Sequence, residues 1–94
     1  MPQATLDQVR TVLIEQLGVD ESDVTLEALL EDDFAADAID MVEILMALEQ
    51  LFDIEIPDVL SEPVKTVADL VALVDARVAV TEEARRAPVW KKGA

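Results

Sequence analysis

The 94-residue chain contains no cysteine, no histidine and no tyrosine, and it has only two glycines and four prolines. Without thiols or imidazoles, disulfides, thiolate metal sites, cysteine nucleophiles and imidazole acid–base chemistry are excluded, and most enzyme mechanisms go with them. Basic residues are scarce in a patterned way. None lies between Arg10 and Lys65, and sixteen Asp or Glu residues fill that interval. Such a block repels nucleic acid and anionic membrane, and it attracts basic protein surfaces in a salt-dependent manner. No segment approaches the roughly 18 apolar residues needed to span a bilayer. The start "MPQATLDQVR" lacks a basic stretch followed by an apolar run, so the expectation is a soluble cytoplasmic protein with no membrane span.

What remains is 52% hydrophobic, rich in Leu, Val, Ile and Ala, with aromatics at 3%. That mixture favours helices packed on helices, and the length suits one small domain. Leu6, Val9, Leu13 and Leu17 recur at helical spacing, with Gly18 as the stop. From Val19 to Asp37 the chain is polar and acidic but carries Val24, Leu26, Leu29, Leu30 and Phe34, too many apolar residues for a free linker. The expectation is a long loop laid over the core. Asp37 then caps a helix over "AIDMVEILMALEQLF", with Asp40 in its first turn. Pro57 and Pro63 leave room for an extended piece and a short helix at Asp58 to Ser61, and Thr66 with Asp69 resembles a capping box ahead of Val67, Leu70, Val71, Val74 and Val78. The predicted fold class is all-α, a four-helix bundle of three long helices and one short one with a long first loop.

The predicted domain covers residues 1–80. Residues 81–94 read as a helix extension through "TEEARRA" followed, after Pro88, by a mobile basic tail holding the single tryptophan, Trp90. Docking of that tail on the acidic body or on a partner competes with the simpler reading of a frayed end.

At about 100° per residue, Met41, Ile44, Leu45, Leu48, Leu51 and Phe52 fall on one arc of the second helix and form the expected core stripe. Ile39, Val42 and Met46 fall on another, together with Glu43, Glu49 and Gln50. A neighbouring helix would bury this second strip in a bundle. Alternatively it is a docking face, where burying Met46 or Ile39 contributes about 1.5–3 kcal/mol each and the carboxylates select basic partners. Asp37 with Asp40 as a catalytic acid–base pair is the weaker reading beside their role at a helix N-terminus. "DDFAADAIDMVE" fails as a calcium loop, because Phe34 and Asp37 stand where an oxygen ligand and a glycine are needed.

"DAIDMVEILMALEQLFDIEIPD", residues 37–58, resembles the acyl carrier protein family, in which a helix opens at Asp-Ser-Leu and the text runs on to Phe-Asp and Ile-Pro-Asp. The likeness spans about residues 5–80 and is to free-standing carriers. It implies a monomer that shuttles thioester-bound acyl or polyketide intermediates in fatty acid, polyketide or related biosynthesis, and that is not itself an enzyme. It also implies that the second strip faces partner enzymes: phosphopantetheinyl transferase, ketosynthase, acyltransferase or similar. The docking residues expected on this basis are Asp37, Ile39, Asp40, Val42, Glu43, Met46, Glu49 and Asp58. In the family the serine after the Asp carries 4'-phosphopantetheine; here that position is Ala38, so no cofactor is expected on the chain as written. Ser22 and Ser61 lie in no matching context. Either a serine has been substituted to lock a carrier in its unmodified form, or the chain is a cofactor-free relative that docks or regulates basic partners. The family-like acids around Ala38 favour the first.

Overall fold

The computed structural model describes residues 2–86, with the backbone alone for residues 2–4 and for Arg86. Four α-helices follow one another: α1 (Pro2–Leu17), α2 (Ala38–Phe52), α3 (Asp58–Ser61) and α4 (Val67–Arg86). α1 packs against both α2 and α4, and α3 packs against α4. This is the predicted bundle of three long helices and one short, and the helix extension through "TEEARR" is continuous with α4. The tail beyond Arg86 lies outside the described residues.

Each boundary has a local cause. Proline suits the first position of α1, where its missing N–H would have no intrahelical partner. At its other end Gly18 takes φ +69°, and its N–H donates to the Ile14 carbonyl at 2.9 Å. No side chain would clash there, so glycine is needed for the backbone conformation and not for space. α4 opens with the reciprocal cap expected of Thr66 and Asp69. The Asp69 N–H donates to Thr66 Oγ1 at 3.1 Å, while Asp69 Oδ2 accepts from the Lys65 and Thr66 N–H groups at 3.0 and 3.2 Å. Those bonds, that from Lys65 above all, hold the Asp69 carboxyl below its ordinary pKa of 3.8.

The long first loop contains a short 3₁₀ helix (Glu21–Asp23) and then lies against the bundle. Its Leu26 and Ala28 carbonyls accept from the Ala68 and Val67 N–H groups at 2.9 and 3.0 Å. In return the Leu30 N–H donates to the Lys65 carbonyl at 2.9 Å, and Leu29 and Thr66 form an antiparallel bridge. The loop thus supplies acceptors to the orphan donors of the first turn of α4.

The core gathers Val9, Val12 and Leu13 of α1, Ile44 and Leu48 of α2, and Val67, Leu70, Val71 and Val74 of α4. Val24, Leu30 and Phe34 of the loop are buried among them, as is Ile56 beyond α2. The nearly buried Thr5 hydroxyl donates to Asp75 Oδ1 at 2.6 Å, tying α1 to α4. One predicted core residue is corrected: Leu51, on the core arc of α2, is 51% exposed, whereas Phe52 beside it on that arc keeps partial cover. Leu26 of the loop is 40% exposed, and its backbone carbonyl accepts from the Ala68 N–H.

Truncating Leu48 to alanine is expected to cost about 2–5 kcal/mol in urea unfolding, whereas Leu51→Ala costs less than about 1 kcal/mol. Because its folded pKa is depressed, Asp69 contributes stability above the unfolded value and loses it as pH falls through the lower folded one. Asp69→Asn is therefore expected to flatten the acid limb of the stability profile below about pH 4.

Candidate functional site

The head of α2 is built by the loop that precedes it. Asp33 N–H donates to the Leu29 carbonyl, Asp33 Oδ2 accepts from the Leu29 N–H at 2.7 Å, and the Ala36 N–H returns to the Leu30 carbonyl at 3.0 Å. To make this turn Ala35 adopts φ +55°, a left-handed conformation that a side chain disfavours by about 1–2 kcal/mol. Ala36 then drops into the core, and Asp37 emerges as the cap.

Asp37 and Asp40 form a complete capping box. Asp37 Oδ1 accepts from the Asp40 N–H at 2.8 Å, and Asp40 Oδ2 accepts from the Asp37 N–H at 3.2 Å. Both carboxylates sit at the positive end of the helix dipole, which accounts for the pair without any catalytic role. Ala38 follows as the first helical residue, exposed to solvent and directly behind the cap.

From this head an apolar strip runs down the side of α2 opposite the core. Ile39 is 70% exposed, Val42 55% and Met46 53%, so none of the described helices covers the second arc. Exposed Glu43 and Gln50 flank it. Of the other predicted docking residues, Glu49 is only half-exposed, and its Oε2 accepts from the Ile56 N–H at 2.8 Å. This bond gives Glu49 a role in holding the turn after α2. That turn is set by Asp53 in the left-handed region, φ +55°, with its N–H on the Glu49 carbonyl. Asp58 belongs to a different element: it opens α3, is exposed, and its carbonyl accepts from the Ser61 hydroxyl at 2.8 Å.

Beside the head of α2 lies a cleft of about 270 Å3 between the loop, α2 and the segment after α3. Its apolar walls include Leu29, Leu30, Ala36, Met41, Leu45 and Val64, and its rim carries Glu31, Asp32, Ser61, Glu62 and Lys65. The volume is at the lower edge of small-molecule pockets. Periodicity assigned Met41 and Leu45 to the core stripe; their half-exposure comes from this cleft, whose other walls are remote in sequence.

A family model described as the phosphopantetheine attachment site matches residues 7–74. The match covers more than half of the chain, which therefore belongs to the phosphopantetheine-attachment-site family, the carrier domains that the bundle and the α2 motif resemble. Family membership implies 4'-phosphopantetheine attachment, and the residues at the head of α2 do not fit it: Ala38 ends in a methyl, and Asp37, Ile39 and Asp40 offer no hydroxyl. Ser61 Oγ is engaged with the Asp58 carbonyl, and Ser22 lies in the 3₁₀ helix of the loop. None of the described helices is long and apolar enough to cross a membrane.

The left-handed Ala35 yields a direct check. Ala35→Gly relieves the side-chain penalty against a greater loss of backbone entropy, and a net gain of about 0.5–1 kcal/mol is expected in urea unfolding. A loss of stability would mean that the turn ahead of Asp37 is not left-handed.

Proposed function

We propose that the chain is an acyl carrier protein of fatty acid, polyketide or related biosynthesis, held in its unmodified form because alanine occupies the attachment position, residue 38. It acts as a non-catalytic, monomeric cytoplasmic partner that presents α2 to basic surfaces of carrier-dependent enzymes. The observation that carries this reading is the exposed strip of Ile39, Val42 and Met46, which begins beside an exposed Ala38. A helix that has already buried Ile44 and Leu48 gains nothing in folding from a second apolar arc; an adaptable methionine bordered by carboxylates suits brief contacts with several basic partners. Asp37 and Asp40 add negative charge at the head of α2 and Asp58 at the start of α3, while Ile39, Val42, Glu43 and Met46 form the contact zone.

Loss of the attachment oxygen does not disturb the scaffold. Ala38 stands at the first helical position, where exchanging serine for alanine changes stability by a few tenths of a kcal/mol. The same independence supports a second reading, a natural cofactor-free relative that binds or regulates basic proteins through the strip. The two differ at residue 38 alone.

Restoring the hydroxyl separates them. Ala38→Ser and the parent chain are incubated with coenzyme A and a broad-specificity phosphopantetheinyl transferase, and the intact proteins are weighed. A gain of one phosphopantetheine by the serine version alone identifies a carrier locked by one residue. No gain in either moves the cofactor-free reading ahead, and a gain in the parent chain refutes the assignment of position 38. The docking face is tested by Glu43→Lys, expected to weaken binding to the transferase about 3- to 10-fold in low salt and less in high salt. Glu43 is the cleaner probe because reversing Glu49 would also remove the acceptor of the Ile56 N–H.

A further inference from the structure

A relay of hydrogen bonds joins the cap of α4 to the head of α2. Asp69 Oδ2 accepts from the Lys65 N–H at 3.0 Å, and the Lys65 carbonyl accepts from the Leu30 N–H at 2.9 Å. The Leu30 carbonyl in turn accepts from the Ala36 N–H at 3.0 Å, one residue before the Asp37 cap. At Lys65 and at Leu30 both the N–H and the carbonyl are engaged, so a turn about φ or ψ at either residue breaks one of its two bonds. The relay ends at a strained place. Ala35 holds φ +55° immediately before Ala36, and a left-handed alanine persists only where its surroundings fix it. Leu29, Leu30, Ala36 and Lys65 also line the cleft beside α2, so the same bonds shape it.

Burial alone does not supply this register. Leu30, Phe34 and Ala36 are buried in the core, but apolar attraction has no direction and does not orient the peptide groups between them. Direction comes from the hydrogen bonds, and the relay's side-chain acceptor is Asp69. Carboxylates accept the stronger kind of hydrogen bond, and the bond from Lys65 is the largest cause of the lowered Asp69 pKa. We infer that Asp69 is a positioning residue for the head of α2. Its carboxylate holds the Lys65 backbone and, through Lys65, Leu30 and Ala36, fixes residues 36–40, where Ala38 and Ile39 are presented. Thr66 supplies the other half of the same helix cap, its Oγ1 accepting from the Asp69 N–H, but that bond is no link of the relay. The two residues therefore separate capping from positioning. Asp69's hold on the loop is a property of this chain as it stands, and only its effect on modification rests on the carrier reading.

Amide hydrogen exchange, read by NMR on the folded chain, tests the assignment. In Asp69→Ala the Leu30, Ala36 and Asp40 amides are expected to exchange about three- to tenfold faster, beyond any change shared with the amide of buried Leu48. Thr66→Ala, which weakens the same cap, is expected to leave those three amides in step with Leu48. Asp69→Asn keeps an acceptor without the charge and is expected to give a smaller selective acceleration; it carries the test if Asp69→Ala does not fold. In the Ala38→Ser background, adding Asp69→Ala is expected to lower kcat/KM of phosphopantetheinyl transfer about three- to tenfold, and adding Thr66→Ala less than about twofold. The inference is overturned if the Asp69 variants move Leu30, Ala36 and Asp40 no more than Leu48, or if Thr66→Ala moves them equally. Selective exchange with an unchanged transfer rate also overturns it, because the relay would then fix the loop without presenting residue 38. If Ala38→Ser takes up no phosphopantetheine at all, the carrier reading fails and the exchange result alone decides.

Discussion

The structure depends most on an exchange of backbone hydrogen bonds between two segments that lack partners of their own. A loop from residue 19 to 37 has no extended secondary structure to satisfy its peptide groups, and the first turn of α4 has N–H groups with no acceptor inside the helix. Leu26 and Ala28 give their carbonyls to Ala68 and Val67, and Lys65 gives its own to Leu30. With the loop pinned there, Val24, Leu30 and Phe34 can be buried, and the chain arrives at Ala35 and Asp37 in fixed register. The presentation of Ala38 and of the outer side of α2 is thus tied to the start of α4, which is remote in sequence.

On α2 itself, the core residues and the proposed docking residues take opposite sides of one cylinder. Ile44 and Leu48 are fully buried, whereas Ile39, Val42 and Met46 remain largely in water. Removing each of those three from water would contribute about 1.5–3 kcal/mol at full burial, enough for transient affinity once the entropy of association is offset. The surrounding carboxylates contribute more to selection and encounter rate than to strength. Glu49 stands at the boundary between the two sides, since its carboxylate is committed to Ile56.

Much of this was legible in the residues because the governing signals are local. Asp37 with Asp40, Thr66 with Asp69, and Gly18 each mark a helix end through a bond spanning three or four positions, and Pro57 with Pro63 brackets α3. The two arcs of α2 follow from 3.6-residue periodicity, but their fates do not: only tertiary structure shows that no described helix covers Met46, and that Leu51 on the core arc is left half in water. Equally hidden were the use of Glu49 by Ile56 and the left-handed Ala35, since neither residue type announces such a role. The cleft beside Met41 escaped for the same reason, its walls being drawn from three separated stretches of chain.

The opposition of the two arcs has a consequence for how such a surface changes over generations. Buried Ile44 and Leu48 share no side chain with the outer strip, so substitutions at Ile39, Val42 or Met46 are nearly silent in folding, as surface changes away from caps and core generally are. Lineages can therefore rewrite this outer surface one residue at a time, each intermediate remaining folded, while the inner arc is constrained by the core it fills.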